Sequence, residues 1–240
     1  MSDKIWRSAE LGKKYLEGVR GGLPLAAEQL DVLATVTRDI GPEVSSFLDL
    51  GCGDGVLGRV LHALHPRAEG TFLDFSEFML EAARSKALPG SASRFILCDY
   101  GSRGWQSSLG RTSFDAVVSG FSIHHQPDER KVEIYQEVFD LLTPGGIFLN
   151  LEHVSSATPR IEKAYEEFFL LSMRAYHASG GVTRSMDELR KEYLDRPDRG
   201  ANILAPVEAQ CAWLRKIGYE EVDCFFKVFE LALFGGVKPR

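Results

Sequence analysis

From Ser46 onward, short apolar runs alternate with amphipathic stretches. The apolar runs predict strands at Ser46–Leu50, Gly70–Asp74, Arg94–Cys98, Phe114–Ser119, Ile147–His153, Glu221–Phe226 and Val228–Phe234. Between them, helical spacing covers about Gly55–Leu64, Ser76–Ser85, Asp128–Leu142 and Pro206–Ile217. The Asp128 helix runs into Thr143-Pro144-Gly145-Gly146, a strong stop and turn. Ahead of this region, residues 1–42 read as helical. An amphipathic start reaches about Tyr15, Gly21-Gly22-Leu23-Pro24 breaks it, and a second helix spans about Leu25 to Ile40.

Strand alternating with helix implies an α/β fold: a Rossmann-like, mostly parallel sheet of seven strands with helices on both faces. Two features interrupt the alternation. Residues 155–200 form an insertion, read as two helices around Gly180-Gly181. The last two runs, joined near Phe226-Lys227, leave no room for a crossover helix and should close as an antiparallel hairpin. The expected organisation is a helical cap over 1–42 and one domain over 43–240, with the insertion as a helical lid at about 155–200.

Composition changes this picture little. The 240 residues are 44% hydrophobic and 26% charged, as in ordinary globular proteins. Net charge is −6, which argues against nucleic acid as the main partner. No apolar run approaches the ~20 residues needed to span a bilayer, and the N-terminus lacks a signal-peptide core. Cys52, Cys98, Cys211 and Cys224 are scattered, with no metal-ligand spacing and no disulfide framework. A cytoplasmic protein without a metal site is the expectation. The oligomeric state stays open, a homodimer included.

The candidate chemistry begins at Phe47-Leu-Asp-Leu-Gly-Cys-Gly-Asp-Gly-Val-Leu-Gly58. A glycine turn after a first strand, opening a helix, is a nucleotide cradle. Yet Asp49 ends the strand, and Asp54 sits inside the turn. A carboxylate there repels pyrophosphate and attracts an amine. A ligand with an ammonium, a carboxylate and a nucleoside fits better, and S-adenosylmethionine (SAM) has all three. Asp74 ends the second strand, where an acid accepts both ribose hydroxyls. Asp99-Tyr100 ends the third, placed for the adenine amine and ring. The plain alternative makes Asp49 a helix-cap acid and Asp74 a turn residue.

The chain resembles the class I SAM-dependent methyltransferases. The resemblance lies in Leu48-Asp-Leu-Gly-Cys-Gly-Asp-Gly55, Leu73-Asp-Phe-Ser76 with Met79, Cys98-Asp-Tyr100, Phe114-Asp-Ala-Val-Val-Ser-Gly120 and Leu142-Thr-Pro-Gly-Gly-Ile147. It implies that Asp49, Gly51 and Gly53 hold the methionine part of SAM. Asp74 would hold the ribose, with Phe75 and Met79 against the adenosine, and Asp99 and Tyr100 would contact adenine. The backbone of Ser119 and Gly120 would complete the amino-acid pocket. A narrower similarity, in the insertion and the tail Cys224–Phe234, is to carboxy-SAM synthase and its relatives. The arginine that holds the extra carboxylate there falls near Ile203 here, with Arg199 close by. This departure favours ordinary SAM and methyl transfer.

Methyl transfer needs alignment and water exclusion, and a base only where the acceptor carries a proton. His124, in Ser119-Gly-Phe-Ser-Ile-His-His125, is the candidate base, because a histidine titrates near neutrality. Packing against the cofactor is its alternative role. Glu152-His153 are second candidates. Acceptor and lid contacts are expected from Tyr15, Arg20, Phe121, His125, Glu152, Tyr176 and His177. Phe168, Phe169 and Met173 read as core residues, and Arg184–Arg199, with five basic and five acidic side chains, as a solvated face.

The leading expectation is a methyltransferase acting on a small-molecule acceptor, with S-adenosylhomocysteine (SAH) as product. Carboxy-SAM formation or use, a non-catalytic SAM-binding protein and a nucleotide-dependent oxidoreductase are the alternatives.

Overall fold

The computed structural model describes residues 9–14 and 21–240. Its centre is a seven-stranded sheet ordered β3-β2-β1-β4-β5-β7-β6. The strands are β1 (Ser46–Leu50), β2 (Glu69–Asp74), β3 (Ala92–Leu97), β4 (Phe114–Gly120), β5 (Leu142–His153), β6 (Glu220–Val228) and β7 (Leu231–Val237). The pairings from β3 across to β5 are parallel, and β7 pairs antiparallel with both β5 and β6. The expected topology is therefore present.

The helices are α1 (Ala9–Lys14), α2 (Ala26–Asp39), α3 (Val56–Leu64), α4 (Glu77–Ser85), α5 (Asp128–Leu141), α6 (Pro159–Ser179), α7 (Met186–Asp195) and α8 (Val207–Ile217). β1 is buried along its whole length, as expected of a strand covered on both faces. One core layer joins β1 and β4 to α5 and α8 through Leu48, Val117, Tyr135 and Leu214. The opposite layer packs Leu33 of α2 and Leu61 of α3 against Phe47, Phe72 and Val118. Strand order reverses between β1 and β4, and ligands in such sheets sit at that switch point, beyond the strands' carboxyl ends.

The final hairpin departs from the expected boundary. Its turn lies at Phe229-Glu230, not near Phe226-Lys227, and β7 runs on to Val237. The run Cys224–Phe234 is interrupted at Lys227 and again at Glu230, and the reversal falls at the second of these polar positions. Phe229 makes the turn in a left-handed conformation (φ 52°), and register shifts in β6 absorb the offset. Among the described residues, no helix is long and apolar enough to cross a membrane.

Candidate functional site

A cavity of about 610 Å³ opens over the carboxyl ends of β1, β2 and β4, and the insertion roofs it. That size suits a cofactor together with a small acceptor. Its floor is the glycine turn. Gly51 and Gly53 both have positive φ, 65° and 52°. A Cβ at Gly51 would lie 2.0 Å from Ser122 Oγ, whereas one at Gly53 would meet nothing within 4 Å. The first glycine therefore allows close packing of the loop, and the second leaves the cradle open.

The two acids of the turn diverge. Asp49 is buried, lines the cavity, and accepts one hydrogen bond, 2.8 Å from the Gly58 N–H. Burial lifts its carboxyl to about 8, and the Asp54 and Asp74 charges add to the rise. Such a group gains most from an ammonium partner. Asp54 does not line the cavity. It pairs with Lys86 Nζ at 2.9 Å and Arg59 at 3.7 Å, tying the turn to α3 and α4.

At the end of β2, Asp74 accepts from Gly53 N at 2.9 Å and Ser76 N at 2.8 Å. Burial still raises its carboxyl to about 6. Phe75 and Met79 line the cavity beside it. Asp99 accepts from Gly101 N at 3.0 Å, and Tyr100 OH lies 2.6 Å from Ser122 Oγ. Both line the same cavity. Arg130 pins this loop through the carbonyls of Tyr100 and Gly101 while paired with Glu137.

Gly120 and Phe121 line the cavity at the end of β4, but Ser119 does not. Strand alternation turns Ser119 into the sheet, where its Oγ donates to Leu50 O at 2.8 Å. Phe121 has a left-handed φ of 48°, which redirects the chain into a 3₁₀ turn over Ile123–His125.

His124 and His125 are buried in the cavity wall, with ring centroids 4.0 Å apart. His124 Nδ1 lies 2.5 Å from Glu152 Oε1, and the Asn202 side chain supplies a further hydrogen bond. With Nδ1 taken, Nε2 is the atom that Asn202 can meet. Burial holds His124 well below the usual histidine range. His125 Nδ1 lies 3.2 Å from Ala201 O. Glu152 is fully buried behind His124 rather than in the cavity, and burial raises its carboxyl to about 7.

The insertion contributes more than expected. His177 lines the cavity, but Tyr176 does not. The Tyr176 ring instead covers Gly21, where a Cβ would lie 2.2 Å from it. Phe169 and Met173, expected as plain core, also face the cavity, with Tyr165 one turn earlier. Leu189, Glu192, Tyr193 and Arg196 line it too, correcting the reading of residues 184–199 as wholly solvated. Leu189, Glu192 and Tyr193 share one face of α7, and Arg196 follows at its C-terminal end. Arg199 lies outside the cavity, 3.3 Å from Glu166. Arg196, which the sequence did not single out, stacks on Tyr193 with its guanidinium carbon 3.9 Å from the ring centroid. Tyr15 and Arg20 lie outside the described residues. Among the described residues, no three His, Cys, Asp or Glu side chains cluster to hold a metal ion.

Residues 47–146 match a family described as a methyltransferase domain. Among curated relatives, the demethylmenaquinone methyltransferase of Leptospira interrogans is 29% identical over 154 residues, covering 63% of this chain and 61% of that protein. The carboxy-S-adenosyl-L-methionine synthase of Campylobacter concisus is 24% identical over 197 residues, covering 81% and 77%. An O-methyltransferase family protein from Burkholderia thailandensis shares the fold at a TM-score of 0.63 and 16% identity, covering 90% of this chain and 56% of that one. The chain thus spans about three fifths of the Leptospira protein's length.

Proposed function

We propose that this protein transfers a methyl group from SAM to a small-molecule acceptor. The observation that carries the reading is the pair of buried acids, Asp49 and Asp74, flanking an open Gly53 cradle at the strand switch point. When bound there, SAM supplies an electrophilic methyl group on a leaving group that needs no protonation. Asp49 would take its ammonium and Asp74 its ribose hydroxyls. Phe75, Met79 and Tyr100 would enclose the adenosine, and Asp99 would meet the adenine amine. The insertion would exclude water above the acceptor.

The acceptor would occupy the half of the cavity walled by Tyr165, Phe169, Met173 and Tyr193. That apolar, aromatic wall favours a compact, weakly polar metabolite. Residues 1–42 are taken as a cap and residues 43–240 as the transferase domain. The four free thiols suit a reducing compartment such as the cytosol.

A second reading rests on Arg196. It is a cavity-lining cation that could pair with an extra carboxylate on the cofactor, as carboxy-SAM formation or use would require.

Calorimetric titration with SAM, SAH, carboxy-SAM and NAD tests both readings. Tightest binding of SAM or SAH supports methyl transfer. A preference for carboxy-SAM that disappears in Arg196→Met supports the second reading. Binding of NAD alone overturns both.

A further inference from the structure

A second histidine–carboxylate pair opens on the same cavity. His153 ends β5, and its Nε2 lies 2.8 Å from Glu230 Oε2. Glu230 is buried in the β6–β7 turn, which Val154 N fixes by donating to Glu230 O at 2.8 Å. A carboxylate that accepts the Nε2 hydrogen would leave Nδ1 as a lone pair. Among the described residues, that Nδ1 has no hydrogen-bond partner, and His153 is part of the cavity wall. His124 differs, because Glu152 and Asn202 engage its ring. The ring nearest His153 on the insertion is Tyr165, at 5.6 Å between centroids. Phe169 lies 6.1 Å from Tyr165, and Tyr193 lies 5.4 Å from Phe169. His153 thus stands in the cavity wall beside a row of aromatic side chains.

We propose that His153 is the general base, that Glu230 orients it, and that the acceptor is an aromatic compound whose reacting oxygen enters as a hydroxyl. The proposal rests on the methyl-transfer reading and names the acceptor class for it. In the step, the acceptor O–H bond breaks, its proton bonds to His153 Nδ1, and the electron pair stays on oxygen. Glu230 balances the imidazolium, which then loses its proton to solvent. The ionisable groups facing His153 are Glu230 from the hairpin turn, His124 and Glu152 behind it, and Tyr165 from α6. His124 is a positioning residue in this scheme.

The test uses 4-nitrocatechol, an aromatic hydroxyl compound whose absorbance reports its own ionisation. It is titrated across pH into the full chain loaded with SAH. The expected ionisation midpoint of the bound probe lies about one pH unit or more below that of the free probe, a roughly ten-fold gain for the ionised form. His153→Asn removes that shift, and Glu230→Gln reduces it. No binding, no shift, or the same shift in His153→Asn overturns the proposal. Near-ultraviolet circular dichroism checks each variant's fold; if His153→Asn does not fold, Glu230→Gln decides. SAH affinity is measured separately. If SAH does not bind the unaltered protein, the methyl-transfer reading fails, and the probe titration without SAH still decides the role of His153.

Discussion

Glu152 holds His124 at two atoms: Oε1 lies 2.5 Å from the ring Nδ1, and Oε2 accepts the backbone N–H at 3.0 Å. Oε1 also accepts the His153 N–H at 3.0 Å. Both carboxyl oxygens therefore face backbone donors, and an amide cannot satisfy both. Glu152→Gln should lose about 1–3 kcal/mol of stability, because it sets an N–H against an N–H in a buried site. Urea unfolding at constant pH measures this, and a neutral outcome would mean that the His124 contacts are not held in solution.

Asp49 should make the ligand-free protein less stable as pH rises. Its folded-state value, about 8, lies above its ordinary value. The stabilising effect of the folded state's tighter proton binding is complete below pH ~4 and is lost as pH rises through about 8. Asp49→Asn keeps an acceptor for the Gly58 N–H and cannot ionise. It should raise Tm at pH 8, by about 2–4 °C for each kcal/mol relieved, and leave Tm at pH ~4 nearly unchanged. Scanning calorimetry at the two pH values gives the answer. A lower Tm at pH 8 would show that the buried charge is already compensated.

Asp74→Ala removes an acceptor that the proposed ribose contact needs. Its expected cost of ~1.5–3 kcal/mol weakens SAM binding about 10- to 150-fold. The backbone donors at Gly53 and Ser76 also lose their partner, so thermal unfolding of the variant should accompany the titration. A folded variant with unchanged SAM affinity would remove Asp74 from the cofactor model.

Lys131 ties the loop after the insertion to α5. Its buried Nζ donates to Asp128 Oδ1 at 2.6 Å and to the Ile203 carbonyl. Ile203 N in turn donates to His124 O at 2.9 Å. Lys131→Met fills the space but frees that carbonyl, for a loss of about 1–3 kcal/mol. Amide exchange at Ile203 should accelerate with it. Unchanged exchange at this amide would show that the loop is held by other contacts.

The sheet was legible in the chain because parallel strands buried on both faces leave short, nearly continuous apolar runs. The proposed cofactor residues stand out for a related reason. Asp49, Asp74 and Asp99 each stand at or just beyond the end of such a run, and a strand end at the switch point has one destination. What escaped was decided by side-chain direction and long-range pairing. Ser119 was expected to offer its backbone, and its side chain turns into the sheet toward Leu50. Glu152 looked like a lid residue but faces inward to His124. The partnership of His153 with Glu230 joins positions 77 residues apart, and only the antiparallel return of β7 beside β5 brings them together. Leu189 and Tyr193 carried a periodic signal, which their charged neighbours obscured.

The proposed cofactor side of the cavity is drawn from one compact stretch, Asp49 to Gln126, whereas the aromatic wall comes almost entirely from α6 and α7. Those two helices form no strand of the sheet, and they leave and rejoin the domain between β5 and α8. Replacing Phe169, Met173 or Tyr193 therefore breaks no ladder hydrogen bond and leaves the proposed nucleoside contacts in place. Under the proposed roles, acceptor preference could be changed by rewriting α6 and α7 while the sheet keeps its own pairing.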